Sequence, residues 1–324
     1  MEKIKLWWQF GRGYTIPQSA LPYIFAVLLA AKHYKIDYML SFMGLIGIVL
    51  VHLSFNLLDD YFDWKKGAVA QYKELAQKGI VAITNKCFYL EQNLTTPKTV
   101  LIVSLTMDAI ALIMGLFIAL KVGISVIIIA LITGALGIFY SADPIKLSYR
   151  GLGEPIIGLI FGPLLMVGAY ITAGASPDKF ILILSAILGL LIANIAYTHA
   201  IMDFDSDIQA GKKSFPILFK TKDNAILVLG IIYALAYVIL ALGILYKIFP
   251  PATALTFILL PKAFALVNLM KKPDKEKKLW MGPVENWEQL QKEGSDWFML
   301  RFYISRNIVT EFIITFGFVY YLFG

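Results

Sequence analysis

Apolar stretches about 20 residues long recur along the whole of this chain, and nothing else in the sequence restricts its fold so strongly. A helix rising 1.5 Å per residue needs about that length to cross a hydrocarbon layer ~30 Å thick. Such stretches occur at approximately 16–33, 38–60, 98–120, 123–141, 153–174, 179–202, 224–248, 251–270 and 303–323. Backbone groups in lipid need partners inside their own segment, and continuous apolar runs meet that need as helices. The expected fold is all-α, a polytopic membrane helix bundle of about nine transmembrane helices. It forms one domain over residues 1–324, with no soluble domain. The balance of residues agrees: 59% are hydrophobic and 16% charged, where a soluble domain carries ~25% charged residues. Lys3, Lys5 and Arg12 precede the first stretch much as they would a signal peptide. No small-residue cleavage pattern leads into a soluble domain, so the stretch is read as the first transmembrane helix.

The basic residues orient the bundle. With the N-terminus in the cytoplasm, the loops around 63–97, 142–152, 203–223 and 271–302 lie on the same side. Of the 29 Lys and Arg, only Lys32, Lys35, Lys121, Lys179 and Lys247 fall on the other side, and Lys262 and Arg306 lie within spans. That bias places the N-terminus and the polar loops in the cytoplasm, with the protein in the cell (plasma) membrane. The net charge of +7 reflects this topology and attraction to anionic headgroups rather than nucleic-acid binding. The single Cys87 excludes an internal disulfide and a Cys-based metal site. Residues 64–97 are expected to form a short amphipathic helix over the cytoplasmic opening. Residues 271–301, with Trp280, Trp287 and Trp297, read as a connector hugging the interface, a lid being the alternative. Inside the last span, Arg306 could snorkel and Glu311 could pair with it, and neither these two nor Lys262 is expected to be catalytic.

Two acidic clusters stand at the ends of two of these stretches. The first is His52-x3-Asn56-x2-Asp59-Asp60-x2-Asp63 and the second is His199-x3-Asp203-x-Asp205-x-Asp207. An offset of 147 residues carries His52 onto His199, Asn56 onto Asp203 and Asp60 onto Asp207. The chain therefore reads as two pseudo-repeated halves in the same orientation, with motifs at 52–67 and 199–214. On a helix Asn56, Asp60 and Asp63 share one stripe, as do Asp203 and Asp207, whereas Asp205 points elsewhere. Acids that merely meet water at a helix end explain one or two aspartates, not two registered clusters. Carboxylates brought together repel one another unless cations intervene. Asp and Asn oxygens favour Mg2+ over zinc, and a diphosphate can complete the coordination. His52 and His199, one turn deeper, read as polar lining residues rather than metal ligands.

Asp59-Asp60-x2-Asp63 matches the DDxxD pattern of soluble prenyl-diphosphate and terpene synthases. Together, Asn56-x3-Asp60-x2-Asp63 and Asp203-x-Asp205-x-Asp207-x3-Gly211-Lys212-Lys213-Ser214 resemble the two signature motifs of the UbiA superfamily of intramembrane prenyltransferases. Thr15-Ile-Pro17-Gln-Ser19 and Tyr140-Ser-Ala-Asp-Pro144-Ile-Lys146-Leu147-Ser-Tyr149-Arg150-Gly151-Leu152-Gly153-Glu154 are similar to the branch acting on 1,4-dihydroxy-2-naphthoate in menaquinone synthesis. Asp59, His199, the lysines after the first motif and the Asp203/Asp205/Asp207 pattern depart from that branch, and the last leans toward the 4-hydroxybenzoate branch.

The resemblance implies Mg2+-dependent transfer of a polyprenyl group from its diphosphate to an aromatic acceptor. Asn56, Asp60, Asp63, Asp203 and Asp207 would be the catalytic set, with Asp60, Asp63, Asp203 and Asp207 on the metal. Lys146, Arg150, Lys212 and Lys213 would balance the diphosphate oxygens. Tyr140 and Tyr197 would face the allylic cation, and His52 and His199 would line the site. The implied partners are polyprenyl diphosphate, the aromatic acceptor and membrane lipid, with no nucleic acid; the oligomeric state is left open. A transporter is the competing class, but a parallel repeat with acids at one membrane edge suits it less than inverted repeats with midplane charges would.

Overall fold

The computed structural model describes residues 2–78, 87–272, 287–292 and 296–324. In chain order its helices are α1 (Glu2–Phe10), α2 (Pro17–His33), α3 (Tyr38–Lys65), α4 (Ala68–Gln77), α5 (Phe88–Glu91), α6 (Pro97–Val122) and α7 (Ser125–Ser141). The second half contains α8 (Gly153–Leu159), α9 (Leu165–Thr172), α10 (Lys179–Met202), α11 (Phe204–Gln209), α12 (Lys222–Leu245), α13 (Leu260–Met270), α14 (Trp287–Lys292) and α15 (Asp296–Phe323). Among the described residues 8 helical stretches are long and apolar enough to cross a membrane, and α7, at 17 residues, is a shorter apolar ninth. All nine expected stretches are helical.

The helix starts follow local chemistry. Asp37, Thr96, Asp178 and Thr221 each accept a backbone N–H from the first turn of α3, α6, α10 and α12. Pro17 and Pro97 open α2 and α6, where a missing N–H costs nothing. Two spans are less regular than the sequence suggested. α8 and α9 form one span joined by a π turn at Ile160–Leu164, which contains Pro163. Proline cannot donate into the helical ladder, so the register slips there. The span over Pro251–Met270 begins as a 3-10 helix at Pro251–Leu259 and becomes α13.

α10 is the centre of the bundle. Leu184, Ile187, Leu188, Leu191 and Ile192 are fully buried on it, and α8, α12 and α15 pack around it. Gly158 and Gly162 sit one turn apart, and a Cβ on Gly162 would come within 2.4 Å of the Gly189 Cα. Small residues thus let the α8–α9 span touch α10 backbone to backbone. The outer faces of α6 and α12 stay apolar and exposed, with Leu105, Ile113 and Leu120 on one and Leu227, Ile231 and Leu235 on the other. A bundle that exposes such faces along its spans is built to be solvated by lipid.

Three expectations change. Glu311 pairs with Lys262 at 2.5 Å rather than with Arg306, because α13 packs beside α15. The Arg306 guanidinium lies 4.4 Å from the centre of the Tyr303 ring instead. The last span begins at Asp296, so part of the expected 271–301 connector is helix, and Arg301 is buried there with bonds to the Trp297 and Leu269 carbonyls. Trp287 and Trp297 pack against the main core, while Trp280 and much of the basic run lie outside the described residues. The expected amphipathic helix within 64–97 is α4, and residues 79–86 lie outside the described residues.

Candidate active site

α3 continues through the first acidic motif to Lys65, so Asn56, Asp59, Asp60 and Asp63 occupy its last turns. Each acid is held by a donor from another element. Arg12, in the turn between α1 and α2, bonds the Asp60 carboxylate at 2.5 Å and that of Asp59 at 3.3 Å. The Tyr89 hydroxyl donates to the other Asp60 oxygen at 3.1 Å. Ser141, at the end of α7, donates to Asp59. Tyr149 donates to Asp63 at 2.9 Å. Asp60 and Asp63 are buried, and buried acids without such donors would be neutralised rather than ionised.

Asn56 has a structural task beside the one its spacing suggested. Its amide donates to the Gly11 carbonyl at 2.8 Å and to the Thr15 hydroxyl at 3.2 Å. His52 sits one turn deeper, with Nδ1 2.7 Å from the Ser19 hydroxyl and Nε2 3.1 Å from that of Thr15. Together Asn56 and His52 tie the Arg12 turn onto α3. The expectation that His52 lines the site becomes more specific: it fixes the element that carries Arg12.

The second cluster lies at a break. α10 ends at Met202, Asp203 occupies the junction, and α11 follows at once. The Asp207 amide still donates to the Asp203 carbonyl at 2.8 Å, which keeps the two residues one turn apart. Asp203 and Asp207 are buried, and Asp205 is exposed, as a turn of helix requires. Tyr72 of α4 donates to Asp207 Oδ1 at 2.6 Å, and Lys212 approaches the same oxygen at 3.7 Å. Asp207 Oδ2 is buried with no hydrogen-bond partner among the described residues. Burial and the neighbouring Asp207 raise the Tyr72 phenol well above its ordinary range, against the pull of Lys212. Tyr72 therefore stays a donor. His199 Nδ1 lies 3.5 Å from Asp203, and its ring packs on Phe298 and Phe302 of α15.

The loop between α7 and α8 joins the two clusters. Tyr149 bonds Asp63, while Lys66 lies 4.6 Å and Lys212 6.0 Å from the centre of its ring. Burial lowers the Lys66 ammonium below its ordinary value despite Asp63 nearby. The backbones of Arg150 and Lys213 form an isolated bridge, and Glu154 accepts the Phe215 N–H at 3.1 Å. Gly151, at φ +76, lies so close to Leu218 that a Cβ would come within 2.7 Å of it. The segments 147–154 and 211–218 are thereby pinned together, which carries Asp63 to Asp207 through Tyr149 and Lys212.

The remaining expected residues are placed less centrally. Arg150 and Lys213 are joined through their backbones, but both side chains are exposed, and Arg150 donates to the Pro144 carbonyl. Lys146 pairs with Asp143. Tyr197 is fully buried, with its hydroxyl on the Ala225 carbonyl and its ring against Phe215, so it is a core residue. Tyr140 is half-buried at the end of α7, its carbonyl held by Ser148. Arg12, Tyr72, Tyr89, Tyr149, Lys66 and Ser141 were not singled out from sequence. Tyr149 and Ser141 lie inside the 140–154 segment carrying the family resemblance and Lys66 lies within the first motif, whereas Arg12, Tyr72 and Tyr89 had no such signal.

Among the described residues, no three His, Cys, Asp or Glu side chains are already gathered into a metal cluster. The donor chemistry nonetheless fits a hard divalent cation: the acids offer oxygen donors, and Asp207 Oδ2 is buried without a hydrogen bond from any described residue.

Comparison with known proteins agrees with this chemistry. The sequence matches the UbiA prenyltransferase family over residues 19–283. It is 25% identical over 231 residues to a 1,4-dihydroxy-2-naphthoate octaprenyltransferase of Bacillus subtilis (strain 168), covering 71% of each chain. It is 34% identical to a 2-carboxy-1,4-naphthoquinone phytyltransferase of Synechocystis sp. over 41% of this chain and 43% of that one. The fold is similar to a structure of digeranylgeranylglyceryl phosphate synthase, with a TM-score of 0.64, 18% identity and 98% of both chains covered. It is also similar to a UbiA homologue of Archaeoglobus fulgidus bound to GPP and Mg2+, with a TM-score of 0.60, 15% identity and coverage of 94% of this chain and 99% of that one. The chain belongs to the UbiA prenyltransferase family and is an integral membrane prenyltransferase.

Proposed function

We propose that the protein transfers a polyprenyl group from its diphosphate to 1,4-dihydroxy-2-naphthoate, at the cytoplasmic face of the cell membrane and with Mg2+ on the diphosphate. The observation that carries this reading is the junction of two acidic clusters through Tyr149 and Lys212 at one end of an apolar bundle. Asp60, Asp63, Asp203 and Asp207 would hold the metal. When bound, Mg2+ would neutralise the diphosphate and make it a better leaving group. Lys66 and Lys212 flank the same space and would take up negative charge on the departing oxygens. Breaking the allylic C–O bond leaves a delocalised cation, and the Tyr149 ring, already facing two ammonium groups, offers it an electron-rich surface. Attack by the acceptor ring forms the C–C bond, and loss of carbon dioxide or a ring proton restores aromaticity. The buried setting keeps water from capturing the cation. The apolar tail would follow the spans into lipid, and the basic residues on the N-terminal side support the cytoplasmic orientation.

The naphthoate acceptor is supported by the names of the Bacillus subtilis and Synechocystis relatives. The test uses protein in nanodiscs with Mg2+ and labelled polyprenyl diphosphate, offered 1,4-dihydroxy-2-naphthoate and 4-hydroxybenzoate in parallel. Prenylated naphthoquinol that disappears with EDTA is the expected product. Product from 4-hydroxybenzoate alone would keep the chemistry and replace the acceptor.

A further inference from the structure

Arg12 occupies the position where a cation on the first cluster is expected. One of its Nη atoms lies 3.0 Å from the Asn56 carbonyl, 3.3 Å from Asp59 and 2.5 Å from Asp60. The placement is built rather than incidental. Arg12 has φ 55 and ψ 47, a left-handed conformation that non-glycine residues seldom adopt. The turn is held in it by Asn56 on Gly11, by Thr15 on the Arg12 carbonyl, and by His52 on Thr15 and Ser19. On the other side, the Phe10 ring stacks on Tyr89 at 4.4 Å, and Tyr89 donates to the second Asp60 oxygen. Both Asp60 oxygens are thus engaged, one by a guanidinium and the other by a phenol reached through the same α1 contact.

We propose that Arg12 is the resident counter-cation of the first cluster and exchanges partners when substrate binds: the metal takes the Asp60 oxygen that the guanidinium now holds, and Arg12 turns to the diphosphate. The proposal rests on the Mg2+-diphosphate reading above. A divalent ion and a guanidinium cannot both bond the same carboxylate oxygen without strong repulsion, so one displaces the other. The nearest new anion for the freed guanidinium is the diphosphate, which its planar fork suits better than an ammonium would. The exchange keeps a cation on Asp60 at every stage. It also means that metal alone binds weakly, and that metal and diphosphate bind cooperatively. The Arg12 side chain is 29% exposed, which leaves it room to turn.

The test measures Mn2+ binding by electron paramagnetic resonance, with and without geranyl diphosphate, in the wild type and in Arg12→Gln, Arg12→Lys and Tyr89→Phe. Removing the competing charge should tighten Mn2+ binding about tenfold in Arg12→Gln when no diphosphate is present. The same variant should bind geranyl diphosphate about tenfold more weakly in the presence of Mn2+. Arg12→Lys keeps the charge and should restore both values to within about threefold of wild type. Tyr89→Phe, which loosens Asp60 without removing a charge, should change Mn2+ affinity by less than about threefold. Opposite signs for the two ligands in Arg12→Gln distinguish exchange from a loss of folding, which would weaken both. Unchanged or weaker Mn2+ binding in Arg12→Gln, with wild-type protein binding the ion normally, would overturn the exchange alone. A wild type that binds Mn2+ neither alone nor with geranyl diphosphate would overturn the underlying reading as well.

Discussion

The two acidic clusters are related by an offset of 147 residues, yet they are held in opposite ways. The first lies on one unbroken helix, and its central acid is engaged at both oxygens, by Arg12 and Tyr89. The second straddles the break between α10 and α11, and its Asp207 has a phenol and a lysine at one oxygen and, among the described residues, no hydrogen bond at the other. A buried acceptor without a partner costs about 1–3 kcal/mol. Asp60 is therefore partnered in advance by the fold, while among the described residues Asp207 retains an unmet demand for a donor or a cation. Similar residues in similar register have acquired different electrostatic states because different neighbours reach them.

This contrast can be broken most directly at the two acids themselves. Asp60→Asn and Asp207→Asn should each lower prenyl transfer at least about a hundredfold, since on the proposed reading each would remove a carboxylate from the metal. Their stabilities should diverge. Asp60→Asn leaves Arg12 without its closest carboxylate and should destabilise by about 1–3 kcal/mol, reduced from the fully buried case because Arg12 is partly exposed. Asp207→Asn keeps an acceptor for Tyr72 and removes a poorly compensated charge, so its stability should stay within about 1 kcal/mol of wild type. Thermal unfolding in one detergent checks both, and equal losses would contradict the contrast.

Tyr149 is the link between the clusters. Tyr149→Phe keeps the ring beside Lys66 and Lys212 and loses the bond to Asp63, which should lower kcat about tenfold with little change in expression or thermal stability. At Tyr72 the expected change is in stability rather than in rate. Tyr72→Phe removes the hydrogen bond to Asp207 and should cost about 1.5–3 kcal/mol at neutral pH. The folded protein holds the Tyr72 proton more firmly than the unfolded chain does. The stabilisation is therefore complete below the ordinary phenol range, near pH 10, and declines as pH rises above it. Wild type and Tyr72→Phe should converge in stability on the alkaline side and not on the acid side. The smallest change is expected far from both clusters: replacing Lys262 and Glu311 together by Met and Leu should leave transfer within about twofold of wild type, as replacement of a whole ion pair is often near neutral.

The spans, their order and the positions of both clusters were legible in the sequence, since each rests on periodicity or spacing along the chain. Contacts between distant segments were not. Arg12 looks like one more basic residue before the first span, and only the fold of the α1–α2 turn brings it to Asp60. Tyr72 and Tyr89 lie in a polar stretch whose approach to the clusters depends on tertiary packing. Lys262 and Glu311 are 49 residues apart, and their pairing becomes visible only when α13 and α15 lie side by side. For Tyr197 the sequence left lining and packing equally open, and its face of α10 turns into the core.

The central claim is that both clusters act on one metal-bound diphosphate. Mn2+ with geranyl diphosphate, followed by pulsed electron–nuclear double resonance at phosphorus, tests it directly. Wild type should show phosphorus coupling to the bound ion, and both Asp60→Asn and Asp207→Asn should reduce it markedly. Full coupling in either variant would show that its cluster does not hold the metal-bound diphosphate, and would contradict the account.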